Sequence, residues 1–225
     1  MIEGVKAVAF DIDGTLYPAY RLNVRIGMHF FTHMKEFFHF GLTRRELRKS
    51  APVGDLFKYQ AVLFGKRMKI STPEAEESLD KTAYSGLAKY FKNVKPYDGV
   101  LETFAKLKEA GYKIALLSDF PPEQKGDLWG LKPYCDKILS TEKIGALKPS
   151  KYPFGILAME LGVEPGEILY VGNSAKYDIL GAKNAGMKTA YLEPWWRTLF
   201  KKPLKAADIS FCNYKQFMQR TLETT

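Results

Sequence analysis

Two aspartates, Asp11 and Asp13, close an apolar run in VAFDIDGTLYP (residues 8–18), and Gly14 and Thr15 follow at once. Strand alternation puts positions 11 and 13 on the same side. A second apolar run, IALLSD, ends in Ser118 and Asp119, and Lys148 stands in GALKPS. A further run, EILYVGN, ends in Asn173, with Asp178 five residues on. Carboxylates gathered at one edge repel each other, so something must offset their charge. A hard divalent cation such as Mg2+ takes oxygen ligands, few of them from protein, and leaves room for water and phosphate. The set therefore predicts a metal held by carboxylates and ready for a phosphoryl oxygen.

The elements that must deliver these residues follow from hydrophobic period. VKAVAFDI (5–12) is a near-continuous apolar strand, as in a sheet covered on both faces. Further strands are predicted at 113–119, 136–141, 167–173 and 188–194, with a last edge strand at 207–211. Helical patterns lie between them, at 97–112 with Gly111 as a stop, at 154–162 closed by Gly162, and at 175–186. Strand alternating with helix implies an α/β fold, a Rossmann-like parallel sheet with helices on both faces. Ligands of such sheets sit beyond the carboxyl ends of the strands, where all the residues above fall.

Residues 19–92 break the rhythm and read as helical throughout, a small all-helical cap between the first strand and the rest of the core. The division predicted is a core of 1–18 and 93–225 around a cap of 19–92, with hinges near 17–21 and 92–97. Phe30, Phe31, Met34, Phe37 and Phe38 follow one broad helix face and are assigned to the cap's own core. Thr43 with Glu46, and Ser71 with Glu74 after Pro73, read as capping boxes at helix starts. His29, His33 and His39 are placed on the cap's polar face, the first two at a spacing that could share a metal.

The residues quoted resemble the four motifs of the haloacid dehalogenase-like superfamily, whose members are mostly phosphatases. The motifs occur in order: Asp11-Ile12-Asp13-Gly14-Thr15, Ser118, Lys148 in LKPS, and VGNSAKYD with Asp178. The spacer after the first motif resembles the helical cap of one subfamily. The resemblance implies that Asp11 is the nucleophile and Asp13 the general acid and base. It implies that Ser118 bonds a phosphoryl oxygen and that Lys148 offsets charge. Mg2+ would be held by Asp11, the Asp13 backbone carbonyl, Asn173 and Asp178. Backbone N–H groups from Ile12 to Gly14 would form an anion nest, with Thr15 bracing the turn and Asp119 beside the substrate. Tyr17, Tyr20, Arg21 and Arg25 are predicted to border the pocket, with Arg44 and Arg45 as candidates for a second anionic group. One position departs from the family pattern: the fourth motif has Gly172-Asn173 where Gly-Asp is usual, which removes a charge from the metal site.

The function implied is a Mg2+-dependent phosphomonoester hydrolase for a nucleoside monophosphate, sugar phosphate or phosphoglycolate-like substrate. A haloacid dehalogenase is disfavoured by Asp13, which that branch typically replaces. A phosphomutase of the same fold would need a cap that excludes water. A binding or regulatory protein that keeps the fold is supported by Asn173 and opposed by the intact Asp11, Asp13, Ser118 and Lys148. The chain of 225 residues has a net charge of +9. Residues 19–92 hold 14 Lys and Arg against 7 Asp and Glu, so the excess sits in the cap, where it would attract an anionic substrate. The partner expected is a small phosphorylated molecule, with no nucleic acid and no membrane, for a monomer or homodimer. Cys135 and Cys212 match no metal or redox spacing, and no export signal opens the chain, so a cytoplasmic protein with reduced thiols is expected. Trp195 and Trp196 are assigned to core packing or a dimer contact.

Overall fold

The computed structural model describes residues 2–194, 196–197 and 204–222. Its six strands are β1 (Ala7–Phe10), β2 (Lys113–Ser118), β3 (Lys137–Ser140), β4 (Ile168–Gly172), β5 (Lys188–Leu192) and β6 (Ile209–Phe211). They form one parallel sheet in the order β3-β2-β1-β4-β5-β6. The first strand is shorter than the apolar run predicts: the Asp11 N–H makes the last bond to β4, donating to the Val171 carbonyl at 2.9 Å, and the chain then turns from Ile12.

Five helices follow β1: α1 (Ala19–Thr32), α2 (Met34–Leu47), α3 (Leu56–Met68), α4 (Thr72–Ala83) and α5 (Ser85–Phe91). The capping box at Ser71 is present and opens α4. The one expected at Thr43 is not a helix start. Thr43 is buried in the middle of α2, where the same spacing only places Thr43 and Glu46 on neighbouring positions of one helix.

The aromatic stripe is also corrected. His33, at φ −122° and ψ 31°, separates α1 from α2, so the five residues do not lie on one continuous helix, although the Phe30 and Phe37 rings still meet at 5.2 Å between centroids. Phe31, Met34 and Phe38 are 74%, 56% and 63% exposed. The core of the helical segment is instead Phe40, Phe64 and Leu79 with Ala61, Ala75 and Ala83. His29 is not on a polar face either. It is buried, and its Nε2 donates to the Thr82 carbonyl at 2.9 Å.

Both faces of the sheet are covered, which is why β1 is apolar at every position. Val8 and Phe10 pack with Ile114, Leu116, Phe104 and Phe217 on one face. Ala7 and Ala9 pack with Ala115, Leu117, Phe154 and Leu157 on the other. Helix α6 (Val100–Glu109) and the C-terminal helix Tyr214–Thr221 supply the first layer. After β3 and the short α7 (Thr141–Ile144), helices α8 (Lys151–Leu161) and α9 (Leu180–Asn184) supply the second. Gly162 adopts a left-handed conformation, φ 61°, as the C-terminal stop of α8.

The chain leaves and re-enters the core at adjacent points. The Tyr97 N–H donates to the Leu16 carbonyl at 2.9 Å. Arg21 donates to the carbonyls of Lys95 and Pro96, both at 3.1 Å, and Arg25 to that of Asn93 at 3.2 Å. Among the described residues no helix is long and apolar enough to cross a membrane. Trp195 lies outside the described residues; Trp196 is exposed, with the Arg197 guanidinium 4.8 Å from its ring centroid.

Candidate active site

The carboxyl ends of β1, β2 and β4 meet at one small pocket of about 150 Å3. Lys148 is its hub. The Lys148 ammonium lies 2.6 Å from Asp11 Oδ1 and 2.7 Å from Asp178 Oδ1, with all three side chains buried. It also contacts the Tyr170 hydroxyl at 3.2 Å. Burial alone would lower the lysine's proton affinity, but Asp11 and Asp178 outweigh it and hold it well above the ordinary value. The amine is therefore a fixed positive charge.

Asp178 reaches this point by a local device. Residues Ala175–Ile179 form a π-helical turn, with Asp178 Oδ2 accepting the Ser174 N–H at 2.9 Å. The turn folds back over Gly172, where a Cβ would lie 2.3 Å from the Asp178 Cβ. Only glycine permits that approach.

Asp11 is the acid most affected by its surroundings. Burial pushes its carboxyl up to about 7; Lys148 opposes this, while Asp178 and Asp13 reinforce it. Its Oδ2 accepts the Thr15 hydroxyl at 2.9 Å, and Thr15 also lies 3.4 Å from Asn173 Oδ1. Ile12 is fully buried, and its carbonyl closes the turn by accepting from Thr15 and Leu16. Gly14 has φ +85°, and a Cβ there would fall 2.2 Å from Asn173 Nδ2.

Asp13 lines the same pocket with partners of its own. Tyr17 donates to its Oδ1 at 2.7 Å, while Ser118 and Lys125 approach Oδ2 at 2.9 and 3.1 Å. Burial works to raise this carboxyl, but Lys125, with help from Tyr17 and Ser118, holds it below the usual value. Ser118 is thus engaged with Asp13. Asp119 is committed as well: Oδ1 accepts the Thr141 hydroxyl at 2.7 Å and the Lys148 N–H at 3.1 Å, and Oδ2 pairs with Arg48 at 2.6 Å. It braces the backbone that presents Lys148.

Not every predicted residue comes to this pocket. Tyr20, Arg21 and Arg25 line a separate surface depression with Asn93 and Lys95. They start a helix that leads away from the sheet, and the arginines are spent on the linker carbonyls. Arg44 is buried against Glu142 and Asp119 rather than open to a ligand, with its guanidinium 4.4 Å from the Phe120 ring centroid. Arg45 is exposed and does not line the pocket.

Three contributors, Arg48, Tyr177 and Lys125, lie outside the predicted set. Arg48, one turn after Arg44, lines the pocket and stacks on Tyr177 at 4.0 Å. Helical period in α2 groups Arg44 with Arg48 and separates both from Arg45, so a local signal for Arg48 does exist. Lys125 lies 112 positions from Asp13, at the end of a single 3-10 turn (Pro122–Lys125) too short to show a period, and only the folded topology joins them.

The donors fit a hard cation. Asp11, Asp178 and Asn173 offer side-chain oxygens at one edge of the pocket. Among the described residues no three His, Cys, Asp or Glu side chains are grouped to hold a metal. Two carboxylates and an amide are what the site provides.

Known proteins resemble this chain along most of its length. A family model described as haloacid dehalogenase-like hydrolase matches residues 5–186. A protein from Halalkalibacterium halodurans named pyrophosphatase PpaX is 32% identical over 83% of this chain and 82% of its own. A glyceraldehyde 3-phosphate phosphatase from Methanopyrus kandleri is 30% identical over 82% of each chain. Among solved structures, a phosphatase from Thermococcus onnurineus superposes with a TM-score of 0.63 at 23% identity, covering 96% of this chain and 97% of the other.

Proposed function

The chain belongs to the haloacid dehalogenase-like hydrolases, and from that premise we propose that it is a Mg2+-dependent phosphomonoester hydrolase working through an aspartyl-phosphate. The observation that carries this reading is the single Lys148 ammonium seated between Asp11 and Asp178, with Asp13 two residues on from the nucleophile. A lysine shared by two buried carboxylates is a charge clamp suited to an incoming dianion.

In the first step an Asp11 oxygen forms the bond to phosphorus, and the ester P–O bond breaks. Asp13 delivers a proton to the departing oxygen. In the second step water attacks the phosphorus of the aspartyl-phosphate, Asp13 takes its proton, and the P–O bond to Asp11 breaks. Phosphate leaves and Asp11 is restored. Asp13 as held by Tyr17, Ser118 and Lys125 is ionised, which suits the second step. A phosphoryl dianion arriving beside it raises its proton affinity and suits it to the first. Lys148 stays protonated throughout and balances charge on Asp11 and the phosphoryl oxygens.

Asp11, Asp178, Asn173 and the Asp13 backbone carbonyl would hold the cation, which supplies neutralisation between a carboxylate nucleophile and an anionic substrate. Asn173 contributes a neutral oxygen there, so binding is weaker than with a carboxylate. A small pocket beside a basic helical cap suits a small phosphorylated metabolite. The names of the two relatives, a pyrophosphatase and a glyceraldehyde 3-phosphate phosphatase, are consistent with that class.

Hydrolysis of an aryl phosphate, with Mg2+ or with chelator, on wild type and Asp11→Asn, tests the reading. Turnover that needs Mg2+ and disappears in the variant is expected. Turnover retained by Asp11→Asn would remove the proposed nucleophile.

A further inference from the structure

Helix α1 is apolar on two sides. Leu22 packs on the sheet core and His29 is buried against Thr82, so one side faces the protein. At 3.6 residues per turn, Tyr20, Val24, Gly27, Met28 and Phe31 fall within about 100° of the circumference on the other side. Tyr20, Val24 and Met28 are 64%, 79% and 77% exposed, and Phe31 is equally open. No charged residue falls within this arc. Arg21 and Arg25 stand on its flank, where they donate to the linker carbonyls.

The apolar surface continues past the bend. The His33 N–H donates to the His29 carbonyl at 3.1 Å and the Phe37 N–H to the His33 carbonyl at 3.0 Å, so hydrogen bonds run through the bend, and Met34 and Phe38 are exposed beyond it. An aromatic side chain carries about 150–250 Å2, and the six large side chains together open on the order of 800 Å2. The largest apolar patch of a monomeric protein is about 300–600 Å2. A specific pair of subunits buries about 800 Å2 on each partner. The exposed area is thus that of one side of an interface.

Gly27 points to what covers it. Glycine weakens the interior of a helix, and a Cβ at this position would meet nothing within 4 Å. Nothing in the single chain requires the missing side chain. A second helix crossing there does require it, because it lets two backbones come close. An uncharged stripe also meets its own copy without burying a charge.

We infer that α1 and the start of α2 form a homodimer interface, with two copies of α1 packed antiparallel about Gly27. An antiparallel crossing centred on Gly27 and Met28 sets Val24 of each copy against Phe31 of the partner subunit, as two-fold symmetry demands. None of these residues lines the pocket around Lys148. The inference does not depend on the catalytic reading, because it concerns association alone.

Sedimentation velocity of the full chain across the micromolar range tests it. A concentration-dependent monomer–dimer equilibrium is expected, and it should tighten as salt screens the repulsion between two basic segments. Met28→Glu/Phe31→Glu should run as a monomer throughout, with unchanged circular dichroism. Gly27→Leu should improve the helix of the single chain and still weaken the dimer about tenfold. A wild-type chain that stays monomeric, or one that assembles without stopping at two, would overturn the interface. So would a dimer that both variants leave intact. Binding of the monomer to phosphatidylserine vesicles, lost as salt rises and lost in the double variant, would assign the face to an anionic membrane instead and overturn it too.

Discussion

The Arg48 guanidinium lies over the Tyr177 ring, 4.0 Å from its centroid, while one of its nitrogens pairs with Asp119 at 2.6 Å. Arg48 follows the last residue of α2 in the helical segment, and Tyr177 and Asp119 stand at the ends of the sheet strands. One side chain therefore clasps that segment to the edge of the pocket around Lys148. Planarity matters to both contacts, and lysine cannot reproduce them together.

Arg48→Ala should accordingly raise KM for a phosphate ester by about tenfold, the effect of losing a charged hydrogen bond. The drop in kcat should be smaller, and Arg48→Lys should not restore KM. Steady-state kinetics of the two variants against wild type measure this directly.

Gly14→Ala should be far more damaging than its size suggests. The residue would have to adopt φ +85° with its Cβ 2.2 Å from Asn173 Nδ2. Backbone strain of this kind costs about 1–3 kcal/mol, and the displaced Asn173 would disturb the proposed cation site too. Weaker Mg2+ protection against thermal unfolding, with turnover lost, is the expected outcome.

Asp119 makes stability depend on acid. Burial favours its protonation, but Arg48, Lys148 and Arg44 outweigh burial and lower it to about 2 from an ordinary 3.8. A carboxyl depressed in the folded state stabilises fully above the unfolded value, and the benefit fades as pH falls toward 2. The contribution is about 2 kcal/mol. Urea midpoints of wild type and Asp119→Asn should converge between pH 4 and pH 2 and stay apart at pH 6.

Asp11 has the opposite sign. Its carboxyl sits at about 7 in the folded chain, so without a cation this group costs stability as pH rises from about 4 to 7. A bound cation must displace that proton. Mg2+ should raise the unfolding temperature more at pH 8 than at pH 6, and Asn173→Asp should shift the Mg2+ midpoint to lower concentration. An identical Mg2+ response at both pH values would exclude this coupling.

Much of the architecture is legible in the sequence because the sheet is covered on both faces. Buried strands then read as apolar runs, and their ends fall where polar residues begin, which locates Asp11, Ser118 and Asn173 together. The helical segment is harder to read. Phe30 to Phe38 carry a helical period across His33, but period cannot reveal that the helix breaks there, nor which side of a helix finds a neighbour. Arg21 and Arg25 follow Asp11 closely in sequence and still lie apart from it, since Ala19 begins a helix leading away. Lys125 and Tyr177 depend on contacts between distant segments, which no local pattern encodes.

The hydrogen bond between Tyr97 and Leu16 bears on how such a chain can change over time. Everything between those two residues departs from and returns to nearly the same place. Replacing the whole excursion with another, or with a short turn, would leave the order and register of the sheet untouched. Recombination could thus exchange the excursion as one piece while the strand ends are inherited intact, so that selectivity and chemistry can diverge on separate schedules.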